Sequence, residues 1–224
     1  MVVLRAVSFD WNNTLVRFSW DDERVLIAHR AALGRDDPAF TARWRETMFG
    51  DHGYRPYADL LAGLGVDDPD AFIDAEHEVW RPAHEVLASA QALLESLRSL
   101  GLRTAIVANS WPDPSRVLRA DVERFGLAGH LDATVFSEEV GVRKPDPGIY
   151  LHCCRQLGVD PSEVMHVGDS LVADVGGARA VGMATVQALW FVAEDGPAAV
   201  EADVRAFTPM DVLNAARRLA LTGH

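Results

Sequence analysis

The sequence predicts an α/β protein in which a parallel sheet is flanked by helices and an all-helical segment is inserted after the first strand. Three observations predict it. From residue 86 onward, short apolar runs alternate with helical patterns, an alternation that calls for a parallel sheet covered on both faces. Between about 18 and 83 the apolar residues recur at helical spacing only. Three of the apolar runs each stop at a polar group, and in open parallel sheets ligand sites form just past the carboxyl ends of the strands.

The elements follow in order. Val2-Val3-Leu4-Arg5-Ala6-Val7-Ser8-Phe9 reads as a strand and ends in Asp10-Trp11-Asn12-Asn13-Thr14-Leu15. Helical spacing then takes over in Val25, Leu26, Ala32 and Leu33, in Trp44 and Met48, in Leu60, Leu61 and Leu64, and in Phe72, Ile73, Val79 and Trp80. Gly34, Gly50, Gly53 and Gly65 punctuate these segments. Leu87, Ala90, Leu93, Leu94 and Leu97 form one helix face, with Gly101 as its stop. A strand over 102–108 ends in Asn109-Ser110. A helix near 113–125, a strand over 132–136, a helix near 147–157 and a strand over 163–167 follow, the last ending in Gly168-Asp169-Ser170. A helix near 172–181 and a strand near 184–188 precede a terminal helix opened by Thr208-Pro209, a cap residue with proline at the first helical position. The chain shows no internal repeat or low-complexity tract.

The chain has twenty arginines but a single lysine, Lys144, within Gly141-Val142-Arg143-Lys144-Pro145-Asp146-Pro147. Arginine replaces lysine on most surfaces but not as a compact point charge with rotatable donors, so this lysine is a candidate for chemistry. With the acidic blocks at Asp10 and at Asp169 to Asp174, and the hydroxyl of Ser110, it would converge at one end of the sheet.

These four blocks, in this order, resemble the haloacid dehalogenase-like hydrolase superfamily, in its phosphatase branch with a helical cap, similar to phosphoglycolate phosphatases. The resemblance spans Val2 to Met183. It implies a Rossmann-like catalytic core over 1–17 and 84–224, with a helical cap domain over 18–83. It further implies a Mg²⁺-dependent phosphatase that forms an aspartyl phosphate on Asp10. Asp169 and Asp174 would hold Mg²⁺ with Asp10 and the backbone carbonyl of Asn12. Lys144 would neutralise the phosphoryl oxygens, while Ser110 and the backbone N–H of Trp111 would donate hydrogen bonds to them. A dehalogenase fits poorly, because those enzymes work without metal and the Asp169 to Asp174 block resembles a metal site.

The chain departs from the family pattern Asp-x-Asp-Gly-Thr at two positions, with Asn12 and Asn13 in place of the second Asp and the Gly. The Gly position needs a left-handed backbone, which Asn tolerates best among other residues. Asn12 is the larger change, since the family's Asp there serves as general acid and base, and Asn exchanges no proton at neutral pH. Three explanations stand: a leaving group that needs no acid, a substitute such as His52 or a water held by Asn12, or a catalytically weak or silent regulatory protein that only binds metal and phosphate. Substrate selection falls to the loop Gly50-Asp51-His52-Gly53 with Tyr54 and Arg55, with Arg43 and Arg45 as further candidates for a second anionic group.

A net charge of -12 argues against a nucleic-acid partner. No apolar stretch reaches transmembrane length and no signal-peptide pattern opens the chain, so no membrane partner and a cytoplasmic location are expected. The adjacent Cys153 and Cys154 cannot staple distant segments and fit a reducing compartment. The expected partner is a small phosphorylated molecule, and the expected state a monomer or homodimer.

Overall fold

The computed structural model describes residues 3–50, 55–192 and 200–221. Its centre is a six-stranded sheet whose paired strands all run parallel. The strands are β1 (Ala6–Phe9), β4 (Arg103–Ala108), β5 (Ala133–Phe136), β6 (Val164–Gly168), β7 (Ala184–Ala188) and β8 (Val204–Ala206), in the order β5-β4-β1-β6-β7-β8. Every residue of β1 is buried, as expected of a strand covered on both faces. The chain steps outward from β1 through β4 and β5, then returns to β6 on β1's other side. The boundary between β1 and β6 is therefore the topological switch point, where α/β sheets bind ligands.

Helix α8 (Pro147–Leu157) covers one face, packing Ile149, Tyr150, Cys153, Cys154 and Leu157 against Ala105, Val107, Ala133 and Val135. Ala105 and Val107 are two apart on β4, so one side of that strand faces α8 and the other does not. Helices α5 (Ala90–Ser99) and α10 (Pro209–Leu221) pack on one another, α5 also on β4 and α10 on β8. Leu93, Leu94 and Leu97 of α5 are buried. The helix closes at Gly101, whose φ of +79° lets Leu102 N–H reach back to the Leu97 carbonyl at 3.2 Å. Cys153 and Cys154 are free and buried. Burial holds the Cys154 thiol up at about 11 and Cys153 higher still, so neither is a reactive thiolate.

The chain divides into two compact units, one of Met1–Arg17, Val86–Asn109 and Arg119–His224, the other of Phe18–Glu85 with Ser110–Leu118. The sequence reading put the cut at 83 and assigned 110–118 to the core. The second unit holds α1 (Asp22–Leu33), α2 (Pro38–Phe49), α3 (Tyr57–Gly63) and α4 (Pro69–Trp80). Asp21, Asp37 and Asp68 cap α1, α2 and α4 through their carboxylates, and proline opens α2 and α4. Its core gathers Val25, Phe40, Trp44, Tyr57, Leu61, Phe72 and Trp80, and Val117 joins it. Polar pins cross this core. Trp44 Nε1–H donates to Tyr57 Oη at 2.8 Å, Tyr57 O–H donates to Glu76 Oε2 at 2.8 Å, and His29 Nδ1 meets Thr41 Oγ1 at 2.8 Å.

Three expectations change in detail. A two-stranded ribbon, β2 (Val16–Arg17) with β3 (Glu85–Val86), stands where the chain leaves β1 and where it comes back. The edge strand β8 also went unread. The helix expected near 172–181 is instead a π-helical turn over Leu171–Gly176 followed by the short helix α9 (Gly177–Ala180). The turn widens because both Asp174 N–H and Val175 N–H reach the Ser170 carbonyl, at 3.0 and 3.1 Å. Tyr150 crowds the start of α9, where a Cβ on Gly177 would lie 2.7 Å from Tyr150 Cε2. Among the described residues no helix is long and apolar enough to cross a membrane.

Candidate active site

Asp10 is the first residue past the tip of β1, held there by its N–H to the Val167 carbonyl of β6 at 2.8 Å. Phe9 pairs in register with Ile106 of β4 and Val167 of β6. That register brings the ends of β1 and β6 level, so Asp10 and the Gly168-Asp169 step share one edge of the sheet. The loop beyond Asp10 turns back on itself, with Leu15 N–H on the Trp11 carbonyl at 3.0 Å and Asn13 N–H on the Val16 carbonyl at 2.7 Å. Asn13 sits at φ +55°, the left-handed conformation expected of it. Its side chain also hydrogen-bonds Asp169, so the residue in the glycine place steadies an acidic neighbour.

The Lys144 ammonium lies between two carboxylates. It donates to Asp10 Oδ1 and, at 2.7 Å, to Asp174 Oδ1. All three groups are buried. Asn109, directly after β4, clamps the lysine backbone: its Oδ1 accepts the Lys144 N–H at 2.8 Å and its Nδ2 donates to the Lys144 carbonyl at 3.2 Å. Asp174 reaches the site from the π-turn, and Ser170 N–H donates to its Oδ2 at 3.0 Å. Gly168 makes room for it, because a Cβ there would overlap the Asp174 carboxyl group. Behind Asp174, His166 Nε2 lies 3.2 Å from Oδ1, and Ser8 Oγ lies 2.9 Å from His166 Nδ1.

The electrostatics follow from crowding. Burial pushes Asp10 up to about 7, with Lys144 opposing and the Asp174 and Asp169 charges reinforcing. Burial and the Asp174 charge likewise raise Asp169 to about 6, against Lys144 and the bond from Asn13. Asp174 goes the other way. Burial alone would raise it, but Lys144 and His166 overcome this and hold it below the usual carboxylate range. For Lys144, burial would lower the ammonium, yet Asp10 and Asp174 hold it above its ordinary value. Burial keeps His166 below its ordinary value, so the ring is neutral near pH 7. One lysine thus faces three acids, an excess of negative charge that a cation would relieve. One oxygen from each of Asp10, Asp169 and Asp174 lies within 4.8 Å of the others. Hard oxygen donors at that spacing fit a hard dication such as Mg²⁺.

Of the residues expected in the site, the structure brings together Asp10, Lys144, Asp169 and Asp174. Asn12 follows Asp10 by two residues and is half-buried. Ser110 and Trp111 follow β4 in sequence but group with the second unit. There the Ser110 hydroxyl is 3.2 Å from Ser115 Oγ, and the Trp111 ring packs edge-on against Tyr57. Arg55 and Arg43 are exposed, and Arg45 pairs with Asp22 at 2.8 Å. His52 lies outside the described residues. The sequence reading missed Asn109, His166 and Ser8. The available signal was their place within two residues of a strand's carboxyl end.

Comparison with known proteins shows which family and fold the chain shares. A model of the haloacid dehalogenase-like hydrolase family matches residues 4–182. The N-acetylmuramic acid 6-phosphate phosphatase of Pseudomonas aeruginosa is 31% identical over 219 residues, covering 94% of this chain and 94% of that protein. The glyceraldehyde 3-phosphate phosphatase of Methanopyrus kandleri is 30% identical over 239 residues, covering 97% of this chain and 99% of that protein. In structure, a phosphatase from Thermococcus onnurineus superposes with a TM-score of 0.73 at 24% identity, covering 95% of this chain and 97% of that one. That likeness establishes the shared fold.

Proposed function

The chain belongs to the haloacid dehalogenase-like hydrolases, and we propose that it is a phosphatase that removes phosphate from a small phosphorylated metabolite through an aspartyl phosphate on Asp10, with Mg²⁺ as cofactor. The observation that carries this reading is Lys144 set between Asp10 and Asp174, with Asp169 within reach of the same point. The two relatives named above are, by name, phosphatases of N-acetylmuramic acid 6-phosphate and of glyceraldehyde 3-phosphate.

In this reading an oxygen of Asp10 attacks phosphorus, the substrate oxygen departs, and water later cleaves the aspartyl phosphate, so that one difficult displacement becomes two easier ones. Asp10, Asp169, Asp174 and the backbone carbonyl of Asn12 would hold Mg²⁺. Bound there, the ion supplies positive charge that lets two anions meet. Lys144 holds Asp10 in place, favours its ionised form and answers the charge of the phosphoryl oxygens. Ser110 Oγ–H and Trp111 N–H are assigned as donors to those oxygens. Asn12 donates a hydrogen bond but no proton, so substrates whose leaving oxygen departs unprotonated are favoured. Selection of the substrate body is assigned to the helical insertion, with His52 and Arg55 as candidates.

The test is turnover of an activated aryl phosphate and a panel of phosphorylated metabolites, with Mg²⁺ and with chelator. Mg²⁺-dependent turnover that is lost in Asp10→Asn supports the reading, and metal-independent turnover overturns it. Asn12 favours one alternative, a protein that binds metal and phosphate without turnover. Phosphoenzyme formation from any of these substrates rules that alternative out.

A further inference from the structure

Resting on the metal reading above, we infer that His166 is a positioning residue that fixes the Asp174 carboxylate for the cation, itself set by Ser8. The register of the sheet places Ser8 of β1 directly opposite His166 of β6. The imidazole is 1% exposed and is held on three sides. Ser8 Oγ lies 2.9 Å from Nδ1, Asp174 Oδ1 lies 3.2 Å from Nε2, and the Tyr150 ring meets it edge-on at 5.1 Å.

The direction of these bonds follows from chemistry. An ionised carboxylate only accepts, so Nε2 must carry the proton and donate it to Asp174. Nδ1 of a neutral ring is then an acceptor, and the Ser8 hydroxyl donates to it. The chain runs from the Ser8 donor through His166 to the Asp174 acceptor.

Counting acceptor sites shows what this does. A carboxylate offers about four lone pairs. Asp174 Oδ1 takes bonds from Lys144 and His166, and Oδ2 takes one from Ser170 N–H. One site is left, on Oδ2. Without His166, Oδ1 keeps an open lone pair and the carboxylate loses one of the three donors that set its rotation. Partners behind a metal ligand of this kind change metal affinity by about 10- to 100-fold when removed.

Two substitutions separate positioning from filling space. His166→Gln carries an amide long enough to donate from the place of Nε2. His166→Asn reaches only the place of Nδ1, keeping Ser8 company but losing Asp174. Calorimetric titration with Mg²⁺ alone is expected to give a dissociation constant for His166→Gln within about threefold of the parent, and one for His166→Asn weaker by about tenfold or more. Nitrogen NMR of the metal-free parent is expected to show the Nε2–H tautomer. Equal affinities of the two variants, or an Nδ1–H ring, would overturn the role of His166 alone. A parent chain that binds no Mg²⁺ would overturn the functional reading, and the role of His166 with it.

Discussion

Asp10 carries the proton balance of the site. Burial, opposed by Lys144 and reinforced by Asp174 and Asp169, sets it near 7 against an unfolded value of 3.8. Between those values the metal-free folded chain binds more protons than the unfolded chain, so its stability falls as pH rises through that window. Asp169, raised to about 6, adds to this over a lower range. A cation must displace these protons, so apparent Mg²⁺ affinity is expected to weaken below pH 7, by up to about tenfold per pH unit for each proton displaced. Calorimetry across roughly pH 5 to 8 checks this, and a pH-independent affinity would contradict it. Asn12 bears on the leaving group instead. Asn12→Asp is expected to raise turnover of alkyl phosphates by up to roughly a hundredfold and to leave aryl phosphates nearly unchanged. Parallel changes in both classes would show that Asn12 does not stand where the acid is missing. Asp10, Lys144, Asp169 and Asp174 were legible in the sequence because each is charged and sits in a short block. His166 and Asn109 were not, because a neutral polar residue takes its role from a neighbour that only the strand register supplies.

At the level of elements, the π-turn and the tip of β6 form one device. Gly168 leaves the space that the Asp174 carboxyl group occupies, so Gly168→Ala must push the turn or the strand aside. A loss of about 1–3 kcal/mol in stability and a drop of about tenfold or more in Mg²⁺ affinity are expected, read by denaturant unfolding and calorimetry. Parent-like affinity would show that Asp174 is not held by this packing. In the helical unit, Tyr57→Phe removes the hydroxyl that joins Trp44 to Glu76 and should cost about 1–3 kcal/mol. Unchanged unfolding would contradict a structural role for the pin. The helices of this unit were legible from apolar spacing and glycine breaks, and most strands from their apolar runs. Strand β8 was not, since three residues are too few for a pattern. The π-turn was hidden because Leu171 to Gly176 has the same apolar spacing whether its turns are α or π.

For the whole molecule, the parallel sheet was legible from the alternation of strands and helices, but the strand order β5-β4-β1-β6-β7-β8 was not, because the alternation does not say which strands are neighbours. That order places β1 between β4 and β6 and so gathers residues more than a hundred positions apart. The division into two units was legible as a change of periodicity near residue 18, but the grouping of Ser110–Leu118 with the helices was not, since Val117 reveals its partners only in the packed core. The proposed reaction requires that Asp10 become phosphorylated. The direct measurement is the mass of the Asp10 peptide after acid quench of the protein with a turned-over phosphorylated metabolite. A gain of one phosphoryl group on Asp10 is predicted, present with Mg²⁺ and absent with chelator or in Asp10→Asn. Turnover that continues while Asp10 stays unmodified, or that survives in Asp10→Asn, would contradict it.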